Sequence, residues 1–193
     1  MRGILMRNTA YSSAQTADLH MWLWRLGLGV LIGQFNLLLT TIGKQSGFPR
    51  RASVPYFFVN GKIYALAMPD EQWYQNALAN PLATLQSAYG TQSVSVRRVT
   101  DTKEMADAFA HLRHYRPTTA AIYLAQAGVT RFPDDLAAAA PRIHLVTFEP
   151  TTAQTPPPLE ADLSWLTVIG VLFIGWLLRR RPRRRTRKVL RKA

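Results

Sequence analysis

Apolar and polar positions alternate along this chain with two different periods, and the changes of period mark its elements. Over residues 17–28, ADLHMWLWRLGL carries a helical apolar stripe, and the glycines after it punctuate its end. FNLLLTT, from Phe35, is a short continuous apolar run that predicts a buried strand. ASVPYFFV and KIYALAM are β-rich runs on either side of Asn60-Gly61. Both turn residues tolerate positive φ, so the pair predicts a hairpin. After Pro69, DEQWYQNALA predicts one helix that starts at Asp70 and ends at Asn80-Pro81. LATLQSA and QSVSVRRV flank Tyr89-Gly90-Thr91 and predict a second hairpin, with Val94 and Val96 alternating against Ser93, Ser95 and Arg97. TDTKEMADAFAHLRHY places Asp101 three residues before Glu104, a capping arrangement, and repeats Met105, Ala108, Phe109 and Leu112 at helical spacing. IHLVTFEP predicts a closing strand.

The resulting order is helix, strand, hairpin, helix, hairpin, helices, strand. Helices interrupt antiparallel pairs instead of alternating with parallel strands, which predicts an α+β fold: a closed or split β-barrel of mainly antiparallel strands with packed helices. Such a barrel can bind a cofactor in a groove at its edge or at a subunit boundary. Beyond it the pattern changes. LSWLTVIGVLFIGWLL, residues 163–178, is uncharged and has Trp165 and Trp176 near its ends, as interfacial aromatics often are. At about 1.5 Å per residue it spans roughly 24 Å against a hydrocarbon core of about 30 Å. A transmembrane or interfacial helix is expected, the alternative being a buried core helix. The expected organisation is a barrel domain over 1–150, a Pro-rich linker over 151–162, the hydrophobic helix over 163–178 and an Arg-rich tail over 179–193.

Composition changes this picture in two respects. The chain has 193 residues, nearly half of them apolar, enough for one good core. Its formal charge of +13 suggests a nucleic-acid binder until it is located: residues 179–193 hold eight Arg and two Lys with no acid, leaving +3 for the rest. Each such cation near an anionic leaflet contributes on the order of 1 kcal/mol, so anionic lipid is the expected partner of the tail. Nucleic acid is disfavoured because the tail has no aromatic stacking platform. Orientation pulls two ways, since a cytoplasmic Arg-rich tail behind a single span would leave the main domain outside. Either Leu26 to Ile42 forms a first span, or the domain stays cytoplasmic with the C-terminal helix in the interface or returning to the same side. A membrane-associated protein with a cytoplasmic domain is the expectation carried forward.

The absence of Cys excludes disulfides, thiolate metal sites and cysteine nucleophiles. GKQSG is not a nucleophile elbow, and GLGVLIG misses the dinucleotide fingerprint by one position. His111 and His114 lie three apart without a third ligand, so no metal site is expected. What remains is TIGKQSGFPRR, residues 41–51. A serine hydroxyl, glycine-exposed backbone N–H groups and several fixed cations are the ingredients of a phosphate site, although turns also carry Lys and Arg for solvation alone.

That loop, the hairpin after it and WYQNALANP together resemble the deazaflavin-dependent nitroreductase family, split β-barrel proteins similar to the FMN-binding barrels. Members typically read LLTTxGRKSGxPR, a strand pair and WYxNLxANP, and close the domain with a strand ending in Glu-Pro, as Glu149-Pro150 does. The likeness covers about residues 22–150. It implies that Lys44, Gln45, Ser46 and Arg50, on a loop that also holds Gly47 and Arg51, contact the phosphate and acidic tail of an F-420 type deazaflavin, with FMN as the alternative cofactor. It places Ala65, Leu66, Ala67 and Met68 along the ring, and Trp73, Tyr74 and Asn76 on the adjoining wall. Tyr74 and Tyr123 are the candidate proton donors. The chain departs from the pattern at Lys44-Gln45, where members have Arg-Lys, and at Pro69, where a Gly-Gly is usual. The implied function is hydride transfer from a reduced deazaflavin to a quinone, nitro compound or similar electron-poor acceptor, with a homodimer as a further expectation. The alternative is a non-catalytic flavin-binding or membrane-anchored interaction module.

Overall fold

The computed structural model describes residues 19, 21–161 and 164–179, and the chain falls into two units, Met1–Ala161 and Asp162–Ala193, each taken by itself. The first unit begins with a helical turn over 21–25 (α1) and a short helix Gly29–Ile32 (α2). Seven strands follow: β1 (Asn36–Ile42), β2 (Pro49–Pro55), β3 (Phe57–Val59), β4 (Lys62–Leu66), β5 (Leu82–Ser87), β6 (Gly90–Arg98) and β7 (Leu145–Pro150). Helix α3 (Gln72–Ala79) separates β4 from β5. Helices α4 (Thr102–Tyr115), α5 (Pro117–Gln126) and α6 (Leu136–Ala139) lie between β6 and β7. All neighbours in the sheet order β2-β1-β5-β6-β7-β4-β3 are antiparallel.

Alternation along the strands assigns each face to a different core, as a pleated strand requires. Leu37, Leu39, Val54, Ala65, Leu85, Val94, Val96 and Phe148 pack in one cluster, together with Trp73, Tyr74 and Ala77 of α3. On the opposite face, Tyr64 and Leu145 join Met105, Phe109, Leu112, Tyr123 and Leu136, so α4 to α6 cover the β7-β4-β3 end. The helical stripe Met105, Ala108, Phe109 and Leu112 is fully buried, as its spacing predicts.

Two local expectations need revision. ASVPYFFV is not one strand: β2 stops at Pro55, and β3 begins at Phe57 on the far edge of the sheet. Pro55 has no N–H to extend a ladder, and the next residue, Tyr56, is buried with its hydroxyl donating to Gly33 O at 2.8 Å. Consequently β1 and β2 form a hairpin of their own, and Arg50 and Arg51 lie on a strand, not in a loop. The Asn60-Gly61 hairpin is present, with φ of 50° and 78°.

The Pro-rich segment is held against the sheet. The outward side chains of Thr84 and Gln86 are buried, and a buried polar group must find a partner. Thr84 Oγ1 donates to Pro156 O, Gln86 Nε2 donates to Leu159 O at 3.0 Å, and Leu159 N donates to Gln86 Oε1 at 2.7 Å.

In the second unit, α7 spans Ser164–Arg179, only 16 residues. Among the described residues no helix is long and apolar enough to cross a membrane, which corrects the transmembrane expectation. The physical reason is length, about 24 Å against about 30 Å of hydrocarbon. The run from Leu26 to Ile42, the other candidate span, divides into α2 and β1. Most of the Arg-rich tail lies outside the described residues.

One polar cluster fixes α4 to the sheet. Asp101 accepts from Glu104 N at 2.9 Å, and the Glu104 carboxylate in turn accepts from Tyr64 Oη at 2.9 Å and from Arg97 Nη2 at 3.0 and 3.2 Å. Arg97 also reaches Glu149 at 2.6 Å, so β4, β6, β7 and α4 meet at one carboxylate and one guanidinium. Burial and the bond to Glu104 raise the Tyr64 pKa to about 12. Burial alone would raise the Glu104 pKa, but the bonds from Arg97 and Tyr64 outweigh it and hold it below the ordinary value. A depressed carboxylate stabilises the fold above its unfolded pKa and loses that contribution as pH falls through the folded one. Glu104→Gln should therefore cost about 2 kcal/mol at pH 7, with the gap to wild type narrowing as pH is lowered through the carboxylate range, as read by urea denaturation.

Candidate functional site

The β1-β2 hairpin turns through Gly43–Phe48. Gly43 N donates to Phe48 O at 2.9 Å and Gly47 N to Gly43 O at 2.8 Å. Gly47 takes φ of 67°, a region costly for any residue with a Cβ. At Gly43 an added Cβ would sit 2.6 Å from Ser46 Oγ, so this glycine lets the hydroxyl fold over the turn. The loop does not float. Asn76 of α3, itself buried, accepts from Lys44 N at 3.0 Å through Oδ1 and donates to Thr41 Oγ1 at 3.3 Å through Nδ2. The Lys44 ammonium donates to Gln75 Oε1 at 3.2 Å.

These contacts leave a cavity of about 410 Å³ between the hairpin and the start of α3. Lys44, Gln45, Ser46 and Arg50 line it on one side, Gln75 and Asn76 on the other, and Asp70 brings one carboxylate to the wall. Two cations, a hydroxyl and several amides form a donor set that fits a phosphate-like group. An adjoining hollow of about 420 Å³ continues over Arg25, Arg51, Glu71 and Trp73 and shares Arg50, Gln72 and Asn76 with the first. Cationic side chains therefore follow one another along the hairpin, as a ligand with more than one anionic group would require.

The segment between β4 and α3 is tied by Glu71, whose carboxylate accepts from Met68 N at 2.9 Å and from Trp73 Nε1 at 3.0 Å. Burial, with a contribution from Asp70, raises the Glu71 pKa. Here Pro69 contributes its carbonyl, which accepts from Gln75 Nε2. The segment takes its shape from these bonds and not from glycine.

Behind it lies a network of rings. Tyr74 Oη and His144 Nδ1 are 3.0 Å apart, Tyr123 Oη donates to Ala67 O at 3.1 Å, and His144 N donates to Tyr123 Oη at 2.9 Å. Burial raises both tyrosine pKa values and lowers that of His144, which Arg98 lowers further. Burial thus favours the protonated form of both tyrosines and, with Arg98, the neutral form of the imidazole.

The sequence-predicted residues separate into groups. Lys44, Gln45, Ser46, Arg50 and Asn76 come together around one cavity, and Gly47 shapes their loop. Arg51 lies on the adjoining hollow. Trp73 and Tyr74 are buried in the inner core, as large aromatics on an amphipathic helix usually are. Of the four residues expected along a ring, Ala65 and Ala67 are fully buried, Leu66 is half-buried against the α4–α6 core, and only Met68 is exposed. Gln75, Asp70 and His144 were not among the site residues expected from the sequence, Asp70 being read only as a helix start. Nothing in IHLVTFEP marks its histidine, because its partner is 70 residues away.

Comparison with known proteins now adds to this geometry. A comparison with curated protein sequences finds no match. Among solved structures, an F420-H2 dependent reductase is 22% identical over 59% of this chain and 93% of that one, with a TM-score of 0.43. The heme storage protein HutZ of Vibrio cholerae is 14% identical over 64% and 87%, with a TM-score of 0.44. A pyridoxamine 5'-phosphate oxidase-like protein of Listeria innocua is 12% identical over 65% and 90%, with a TM-score of 0.40. The model of the family described as F420H(2)-dependent quinone reductase matches residues 25–130, more than half of the chain and the whole segment from α2 through α5. The chain belongs to that family, enzymes with a split-barrel fold whose cofactor is the reduced deazaflavin.

Proposed function

We propose that this enzyme passes a hydride from the reduced deazaflavin to a quinone or a similarly electron-poor acceptor, with the hairpin cavity holding the cofactor's phosphate. The observation that carries this reading is the convergence of Lys44, Ser46 and Arg50 on one cavity braced by Asn76. When bound, the deazaflavin supplies the two electrons and one hydrogen of the reduction; the protein's part is binding, orientation and exclusion of water.

Lys44 and Arg50 supply charge, and Gln45 and Ser46 supply directional donors. Asn76 sets the loop against α3, so these donors are arranged before the ligand arrives and little ordering cost falls on binding. Lysine in place of the family's arginine gives a point charge without a fork, which Gln75 steadies. Arg25 and Arg51 extend the positive surface toward the acidic tail of the cofactor. Met68, the exposed member of its run, is the residue available to the ring. Tyr123 spends its single proton on Ala67 O and fastens α5 to the end of β4, so its role is to position that edge. Tyr74, 3.0 Å from His144 Nδ1, acts through that ring, and its role is to hold the imidazole in place.

The second unit supports a membrane-surface role. Val171, Leu172, Phe173, Ile174 and Trp176 of α7 are all exposed, and the sequence continues into the Arg-rich tail. A helix too short to span and apolar on several sides suits burial in the interface of an anionic bilayer, where a lipid-soluble quinone is also found.

Two measurements test these statements. Lys44→Ala with Arg50→Ala should weaken deazaflavin binding at least about tenfold while leaving the thermal transition within a few degrees, followed by cofactor fluorescence and circular dichroism. Unchanged affinity would refute the assigned loop. The full chain should sediment with vesicles rich in phosphatidylserine, with a blue shift of Trp emission, and remain in the supernatant with phosphatidylcholine vesicles or at high salt. Equal binding to both kinds of vesicle would exclude the electrostatic part of the reading.

A further inference from the structure

A second cavity, of about 370 Å³, is bordered by Met68 and Pro69, next in the chain to Asp70 of the first cavity. Met68, Tyr123, Gln126, Ala127, Arg142 and His144 line it, and its walls are mainly apolar. We propose that this cavity receives the electron acceptor, a flat apolar molecule bearing carbonyl oxygens, and that His144 donates a hydrogen bond from Nε2 to one of those oxygens. This inference rests on the proposed function, because Met68, the residue assigned there to the ring, also lines this cavity and would make the two ligands neighbours.

The assignment of the proton follows from Tyr74. That tyrosine is 1% exposed, and His144 Nδ1, at 3.0 Å, is the partner of its hydroxyl. A buried hydroxyl proton needs an acceptor, and the hydroxyl keeps its proton because burial raises its pKa. Nδ1 is therefore the acceptor, and the single proton of a neutral imidazole is left on Nε2. The backbone on both sides is fixed as well: His144 N donates to Tyr123 Oη, and His144 O accepts from Ala67 N at 2.9 Å. The ring is thus held in one tautomer by α3, while its backbone is held by α5 and the residues following β4. Arg98 of β6 donates to Ala140 O, Pro141 O and Ile143 O, which shapes the turn that delivers His144 to the cavity.

A neutral N–H donor in an apolar pocket discriminates by chemistry. It satisfies a carbonyl or nitro oxygen without requiring the ligand to carry charge, and it grows stronger as negative charge develops on that oxygen during reduction. A hydrocarbon of the same shape would leave the donor unpaired, so the cavity selects for oxygen-bearing aromatic acceptors. No proton leaves His144 in this scheme; the proton that completes a quinol can come from solvent.

Menadione is a suitable probe, titrated into the full chain with and without oxidised deazaflavin so that no turnover occurs. Gln126→Trp, at an exposed position on the rim, should raise its dissociation constant about tenfold by filling the opening. His144→Phe should do the same by removing the donor, and His144→Gln, which keeps an N–H, should recover most of the loss. Long-range 1H–15N spectra of the ligand-free chain should show His144 protonated at Nε2, with mixed tautomers in Tyr74→Phe. Menadione affinity indifferent to both Gln126→Trp and His144→Phe, with deazaflavin still bound, would overturn this inference alone. Failure of the wild-type chain to bind deazaflavin would instead overturn the proposed function.

Discussion

A buried amide must satisfy its hydrogen bonds inside the protein, and Asn76 does so by joining three segments. Its oxygen takes the Lys44 N–H and its nitrogen reaches Thr41 Oγ1, so α3, the end of β1 and the hairpin loop are locked at one residue. Around that point the other constraints fall into place. The glycines at 43 and 47 allow the loop to fold tightly, and the loop's own backbone bonds close it. The cationic and hydroxyl side chains are then presented outward because nothing in the interior can use them.

The sheet topology explains why one short stretch of structure borders two cavities. Strand β4 runs between β7 and β3, and its continuation to α3 borders both cavities, Met68 and Pro69 lining the one beside His144 and Asp70 the one at the hairpin. The Glu71 carboxylate and the Pro69 carbonyl hold that continuation by hydrogen bonds to Met68 N, Trp73 Nε1 and Gln75 Nε2. Lys44, Arg50 and Asp70 bring charge to the first cavity, whereas the second has mainly apolar walls with His144 and a single cation, Arg142.

Much of this was legible in the sequence where the signals are local. The Asp101–Glu104 cap, the Met105–Leu112 stripe, the Asn60-Gly61 turn and the basic loop each depend on residues a few positions apart, and each is found. The break at Pro55 was missed because ASVPYFFV is uniformly β-prone; only the two different strand partners reveal that its halves lie at opposite edges. Burial of Ala65 and Ala67 was likewise hidden, since alternation tells two faces apart but not which one a ligand can reach.

By itself, then, the sequence determined most of the elements, the cationic character of the loop and the concentration of charge at the C-terminus, because capping, turn chemistry and net charge are short-range properties. Tertiary structure decided the rest. The Tyr74–His144 contact, the Asn76 brace and the burial of Thr84 and Gln86 beneath the Pro-rich segment all join residues more than thirty positions apart. No period or motif encodes such pairings; they arise when antiparallel strands close and each buried polar group takes whichever partner the closure brings within reach.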